Sequence, residues 1–273
     1  MATFLQSLRE LPQLCQGRPD ALKIWLENPG FSRLAACATA ILAGCSVYGF
    51  TLGLWRAPLM GVFVAAKLPL LILLTMLTNG VLNGMLAQVL GSGLGFRQTL
   101  LAMLMSFACF SLITGALSPV ALMMVLDAPS PGAPGAADAY RVILLVHVAI
   151  IAFAGITAHR RFFPVLAAAS ATRTAGVRVF GAWLAGNLLA GAQLSWNLRP
   201  FFGQPGREVA FLRPDWNKSS FYESVFNNLS SLLTPLRQIP ATAIIPLLIL
   251  ALAVLALLLR RLLNPSKPQS HPS

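Results

Sequence analysis

The chain has 273 residues, of which 56% are hydrophobic and only 10% charged, with a mean hydropathy of +0.72. Soluble domains carry about 25% charged residues, so a water-soluble globule is excluded, as is a disordered chain, which would be polar and highly charged. The formal charge of +12 sits in short segments flanking apolar runs, which is the distribution of topology signals and not the basic stripe of a nucleic-acid-binding domain. Cys15, Cys37, Cys45 and Cys109 are too few, and lie too much within apolar stretches, for a disulfide scaffold.

Residues 1–33 read as an amphipathic N-terminal segment. Phe4, Leu5 and Leu8 recur at helical spacing up to Pro12. Asp20 then caps a second short helix over 21–27, where Leu22, Trp25 and Leu26 form an apolar stripe before Pro29 and Gly30 stop it. Either the two helices lie in the membrane interface with Trp25 at headgroup level, or they pack on the bundle as an ordinary flank.

Six stretches have the roughly 20 apolar residues a spanning helix needs: 34–55, 58–79, 98–125, 140–159, 177–197 and 239–260. The expected fold is an all-α polytopic transmembrane bundle over 34–262, followed by a disordered Pro-rich tail at 263–273. Counting Lys and Arg in alternate connections, with Lys67 set aside as lying within a span, puts twelve on the side of both termini and seven on the other. The positive-inside rule then places both termini in the cytoplasm, most simply of a bacterial inner membrane.

Lys67 is the most unusual residue of these spans, about ten residues into the second and followed by Leu68-Pro69. A lysine at such depth costs about 2.5 to 3.5 kcal/mol unless it is paired, hydrated or able to snorkel. Pro69 adds a backbone carbonyl left free one turn earlier. The pair marks either a polar cavity or a lysine whose stem reaches the headgroups. Asn79 and Asn83, one turn apart beside Gly80 and Gly84, describe a helix that approaches a neighbour closely and hydrogen-bonds across the contact. The run from Asn79 to Gly91 either continues the second helix or turns along the surface. His147, mid-span between Val146 and Val148, has no carboxylate in any predicted span to act as relay partner, and the other span histidine, His159, stands at the very end of the same stretch, which argues against proton coupling. Lys67, Asn79, Asn83 and His147 together are the candidate polar cavity.

The stretch 128–139 is a turn-rich linker. By contrast, the outer loop at 198–238, entered through Trp196, is more than a connection. Arg199-Pro200-Phe201 and Arg213-Pro214 with Trp216 repeat an arginine, proline and aromatic pattern suited to cation-π and stacking contacts. Ser220 and Glu223 form a capping box ahead of an amphipathic helix from Phe221 through Phe226 to Leu233, before Pro235. The loop is a docking face for another membrane or periplasmic protein, a lid over a cavity, or an interfacial anchor.

Chemistry finds little footing. His147, His159 and His271 are scattered, no metal-ligand spacing is present, and Gly91–Gly95 lacks the Lys-Ser/Thr of a phosphate loop. No cofactor, metal or catalytic residue is expected. The bilayer is the one certain partner of such a composition, and nucleic acid is not one.

The order Tyr48-Gly49, Gly53-Leu54-Trp55, Lys67-Leu68-Pro69, Asn83 and Ser118-Pro119 resembles bacterial members of the Yip1-like family of small multi-span proteins, over roughly a quarter of the chain. The resemblance implies a helical bundle of about five spans with a cytoplasmic N-terminus, and a non-enzymatic role in membrane organisation or protein contacts. The sixth apolar stretch and the aromatic loop depart from that pattern. The expected function is therefore contact with partners, with a transporter or lipid-binding protein built around a cavity near Lys67 as the alternative.

Overall fold

A computed structural model of the protein describes residues 3–28, 30–91, 93–203 and 206–233, and among them are nine helices and no strand. The chain divides into two units, Met1–Val225 and Phe226–Ser273. The bundle lies in the first.

The N-terminal segment is a packed flank. α1 (Phe4–Gln16) is capped by Thr3 and runs through Pro12, which does not end it as expected. It stops at Gly17, whose φ of 71° lets its N–H turn back to the carbonyls of Gln13 and Leu14. α2 (Pro19–Glu27) begins one residue before the expected cap Asp20, since a proline at the first helical position loses only an N–H that had no helical partner. Trp25 is buried, not held at a headgroup surface. Its indole N–H donates to Glu10 Oε2 at 3.1 Å, and the Arg33 guanidinium lies 5.3 Å from its ring. Arg33 also donates to the carbonyls of Ile24 and Asn28, which ties α2 to the start of the first long helix.

Among the described residues, four helices are long and apolar enough to cross a membrane: α3 (Phe31–Leu54), α4 (Pro58–Val89), α5 (Phe96–Ala116) and α7 (Ala136–Ala169). α4, with 32 residues, rises about 48 Å against a hydrocarbon core of about 30 Å. The run from Asn79 to Val89 thus continues the helix. The third predicted span, 98–125, is two helices. α5 ends at Ala116 and α6 (Ser118–Asp127) starts anew, because Pro119 has no N–H to carry the ladder on. α7 extends past both predicted ends, so His159, the last residue of the predicted span, lies well inside the helix. α8 (Arg173–Asn197) has the length of a span but is not apolar enough to stand with those four. α9 (Phe221–Leu233) has the bounds expected of it, with Glu223 N–H donating to Ser220 Oγ at 3.3 Å. The predicted sixth span at 239–260 and the tail lie outside the described residues.

α3 is the centre of the bundle, packed on α4, α5, α1 and α6. Its glycines allow this: a Cβ on Gly49 would sit 2.6 Å from the Val64 carbonyl oxygen of α4, and one on Gly53 2.5 Å from that of Met60. Gly80 and Gly84 serve differently from expectation. They make room for the side chains of Leu100 and Phe96 and do not bring two backbones together. On the other side α8 packs against both α4 and α7, while α4 and α7 have no substantial contact with each other. That separation opens the interior described next.

Candidate functional site

Lys67 is fully buried, nine residues after the start of α4. Its ammonium donates to the Pro200 carbonyl at 2.9 Å and lies 4.8 Å from the Phe211 ring centroid and 5.8 Å from that of Phe201. Irregular backbone is thus brought down to the lysine, which is tolerable at depth only where protein surrounds it. One carbonyl dipole and two aromatic faces replace the water the ammonium gives up. Phe211 is steadied from below by Phe63, edge to face at 5.5 Å.

The loop that supplies Pro200 is held by Arg199. This guanidinium stacks 4.0 Å over Trp196 and donates to the carbonyls of Trp196, Asp215, Trp216 and Lys218. Asp215 Oδ2 is 3.4 Å away. Burial pushes the Asp215 carboxyl upward, but a hydrogen bond from its own backbone and the adjacent Arg199 outweigh it and hold the group below the usual aspartate range. Arg213 beside it is half-buried, and burial lowers its pKa from the ordinary arginine value.

Below the loop, Tyr48 of α3 and His147 of α7 are both fully buried, with the phenol oxygen 2.7 Å from His147 Nδ1. Phe202 stacks on the imidazole at 5.3 Å. Deeper still, Asn187 of α8 joins three side chains. Its Nδ2 donates to His159 Nε2 at 2.7 Å, and its Oδ1 accepts from Asn79 at 2.7 Å and Asn83 at 3.4 Å. His159 Nδ1 faces the Gly155 carbonyl at 2.8 Å and must carry the ring's proton, because a carbonyl only accepts. The Trp183 indole donates to the Asn83 carbonyl at 3.3 Å. His159, set aside in the sequence for want of a partner, is therefore a buried member of an α4–α7–α8 polar link.

Between the loop and this link runs an apolar cleft with two lobes. The upper lobe, about 130 Å³, is lined by Leu52, Tyr140, Leu144, His147, Arg199, Phe201, Phe202 and Arg213 among others. The lower, about 190 Å³, is lined by Ile72, Thr75, Phe107, Phe110, His159, Asn187 and Gly191 among others. Leu68, Leu71, Val148, Ile151, Ser195 and Phe221 line both, so the lobes adjoin.

Of the candidate cavity residues, His147 lines the cleft; Lys67 lies against the loop, and Asn79 and Asn83 reach the lower lobe through Asn187. Among the candidate loop residues, Trp196, Arg199, Phe201, Arg213 and Phe221 line the upper lobe, while Trp216 is exposed. Phe226 belongs to the second unit. Asn187 escaped notice in the sequence, although it is the one polar side chain in the apolar, glycine-rich run from Val179 to Ala192 of α8. Comparison with family models, curated proteins and solved structures finds no match to the chain.

Proposed function

We propose that this protein is a non-enzymatic, multi-pass membrane protein that holds an apolar chain in the cleft between α4, α7 and α8. One observation carries the reading: two apolar lobes adjoin, sharing six lining residues, along helices that α8 bridges but that do not close on one another. An apolar cavity of about 150 Å³ in an engineered protein stays dry and takes up benzene, and each lobe is near that size or above it. Several parts of the reading go with it. α8 is a fifth span, and 239–260 a sixth. The ends rich in arginine, with Arg97, Arg160, Arg161 and Arg173, face the cytoplasm of a bacterial inner membrane. Kinship with Yip1-like proteins is part of the reading on the sequence order of Tyr48, Lys67 and Asn83 alone.

The test is photolabelling of the full chain in bilayers with an alkyl diazirine. Adducts on Val148, Ile151 and Leu184, lost in Gly191→Phe, are the expected result. Adducts confined to lipid-facing residues such as Leu77 and Phe153, unchanged by the substitution, would overturn the reading.

A second reading, contact with another membrane or periplasmic protein, is supported by Leu212, Trp216 and Tyr222, all of them exposed at the loop. A photo-crosslinker at position 216 should then yield one stoichiometric protein adduct in native membranes. Lipid adducts alone would remove that reading.

A further inference from the structure

Tyr48 fixes the proton on His147. The phenol is fully buried, and a buried hydroxyl has to donate; the acceptor within reach is His147 Nδ1 at 2.7 Å. The other ring nitrogen of a neutral imidazole that accepts at Nδ1 bears hydrogen. His147 Nε2 is therefore a donor, and it has no hydrogen-bond partner although it is buried. Arg199 presents a second such donor: its two terminal nitrogens are engaged by the loop, but its Nε is buried and unpartnered. Both residues line the upper lobe, as does Arg213, and no aspartate or glutamate lines either lobe among the described residues. The upper lobe is thus bordered by two unpartnered N–H donors and by two arginines, of which Arg199 is paired with Asp215 outside the lining, and it adjoins an apolar lower lobe.

We infer that the cleft takes a single-chain amphiphile with an anionic, hydrogen-bond-accepting head, its oxygens at His147, Arg199 and Arg213 and its chain running past Leu71 and Ile151 toward Gly191. The inference rests on the apolar-cleft reading above and names the ligand class for it. A carboxylate satisfies the requirement most economically, since it accepts from several donors at once and carries the charge opposite to that of the arginines. A cationic head is excluded by the same arginines. A small soluble anion would fill the upper lobe and leave the apolar one empty.

The experiment uses the full chain in phosphatidylcholine nanodiscs and measures binding of radiolabelled palmitate and of hexadecyltrimethylammonium, which has the same chain with a cationic head and no acceptor. Palmitate is expected to bind at least tenfold more tightly, acetate in large excess should not displace it, and Arg213→Gln should weaken it about tenfold, the loss typical of one hydrogen bond to a charged group. His147→Phe alone would orphan the Tyr48 hydroxyl, so the paired variant Tyr48→Phe with His147→Phe is the informative one. Removing both partners together leaves nothing unsatisfied, keeps a ring against Phe202, and should still cost palmitate about tenfold. Equal binding of the two probes would overturn the head-group assignment and leave the apolar cleft standing. Displacement by acetate would show a free anion site and overturn the assignment of the chain. Should neither probe bind while the alkyl diazirine still labels Ile151, the inference fails alone; if labelling is absent too, the cleft reading fails with it.

Discussion

Ser46 Oγ donates to the carbonyl oxygen of Ala65 at 2.9 Å, and Ala65 is the residue four positions before Pro69. This is the carbonyl that a proline inside a helix leaves without its N–H. A serine on α3 therefore fills the gap that a proline makes on α4, and the two helices are joined where the ladder of one is incomplete.

The relationship predicts a thermodynamic coupling. Ser46→Ala should destabilise the protein by about 1 kcal/mol, the usual worth of such a bond. In a Pro69→Ala background, where the backbone N–H restored at position 69 reaches the same carbonyl, the loss should shrink toward zero. Unfolding of the four proteins in mixed micelles gives the double-mutant cycle. Additive losses would mean that Ser46 does not serve that carbonyl.

Lys67 is held by the loop, so its replacement should act on the loop first. Lys67→Leu leaves the Pro200 carbonyl without its donor and takes the charge from between Phe201 and Phe211. A hydrogen bond to a charged group contributes about 1.5 to 3 kcal/mol. Hydrogen exchange over 199–216 should quicken by one to two orders of magnitude, while exchange in the middle of α5 changes little. Equal exchange in both proteins would show that the lysine does not anchor the loop.

Lys67 also marks how far the sequence is legible. Its position, burial cost and neighbouring proline were readable because a charge inside an apolar run breaks a one-dimensional pattern. That the loop comes down to meet it was not readable, since nothing in the local spacing connects residue 67 with residue 200. The bounds of α9 followed from a cap and a period, both local signals. The break at Leu117 was hidden inside an unbroken apolar run, where hydropathy is blind to a proline that starts a new helix. The link from His159 through Asn187 to Asn79 joins positions 28 and 108 residues apart. Each is an ordinary polar residue of a long helix until its partner is known.

Asn187 is the residue on which that link depends. Asn187→Leu should leave His159 Nε2 and the Asn79 amide without their partners at once, whereas Asn79→Leu removes a single bond. Interhelical hydrogen bonds in membranes average about 0.6 kcal/mol, but each orphaned buried group costs about 1 to 3 kcal/mol. The orphaning dominates, so Asn187→Leu should cost several-fold more stability than Asn79→Leu in the same detergent. A smaller loss for Asn187→Leu would mean that the three side chains are not joined through it.

The close approach of α3 to α4 sets the last expectation, because it separates glycines that differ only in what surrounds them. At Gly49 an added Cβ would meet the Val64 carbonyl oxygen at 2.6 Å, and backbone cannot swing aside as a side chain can. Gly49→Ala must therefore push α4 away along a tightly packed face, at an overpacking cost of about 1 to 3 kcal/mol. At Gly155, on α7, a Cβ meets nothing within 4 Å, and there alanine has only its advantage in a helix interior, up to about 1 kcal/mol. Gly191 is intermediate, with Thr75 Oγ1 at 3.6 Å in ordinary contact. Thermal unfolding should rank Gly155→Ala at or above the unaltered chain, Gly191→Ala near it and Gly49→Ala well below. If Gly49→Ala were as stable as Gly155→Ala, α3 and α4 could not lie as close as this, and the seat of Lys67 and the wall of the cleft that α4 provides would both have to be placed differently.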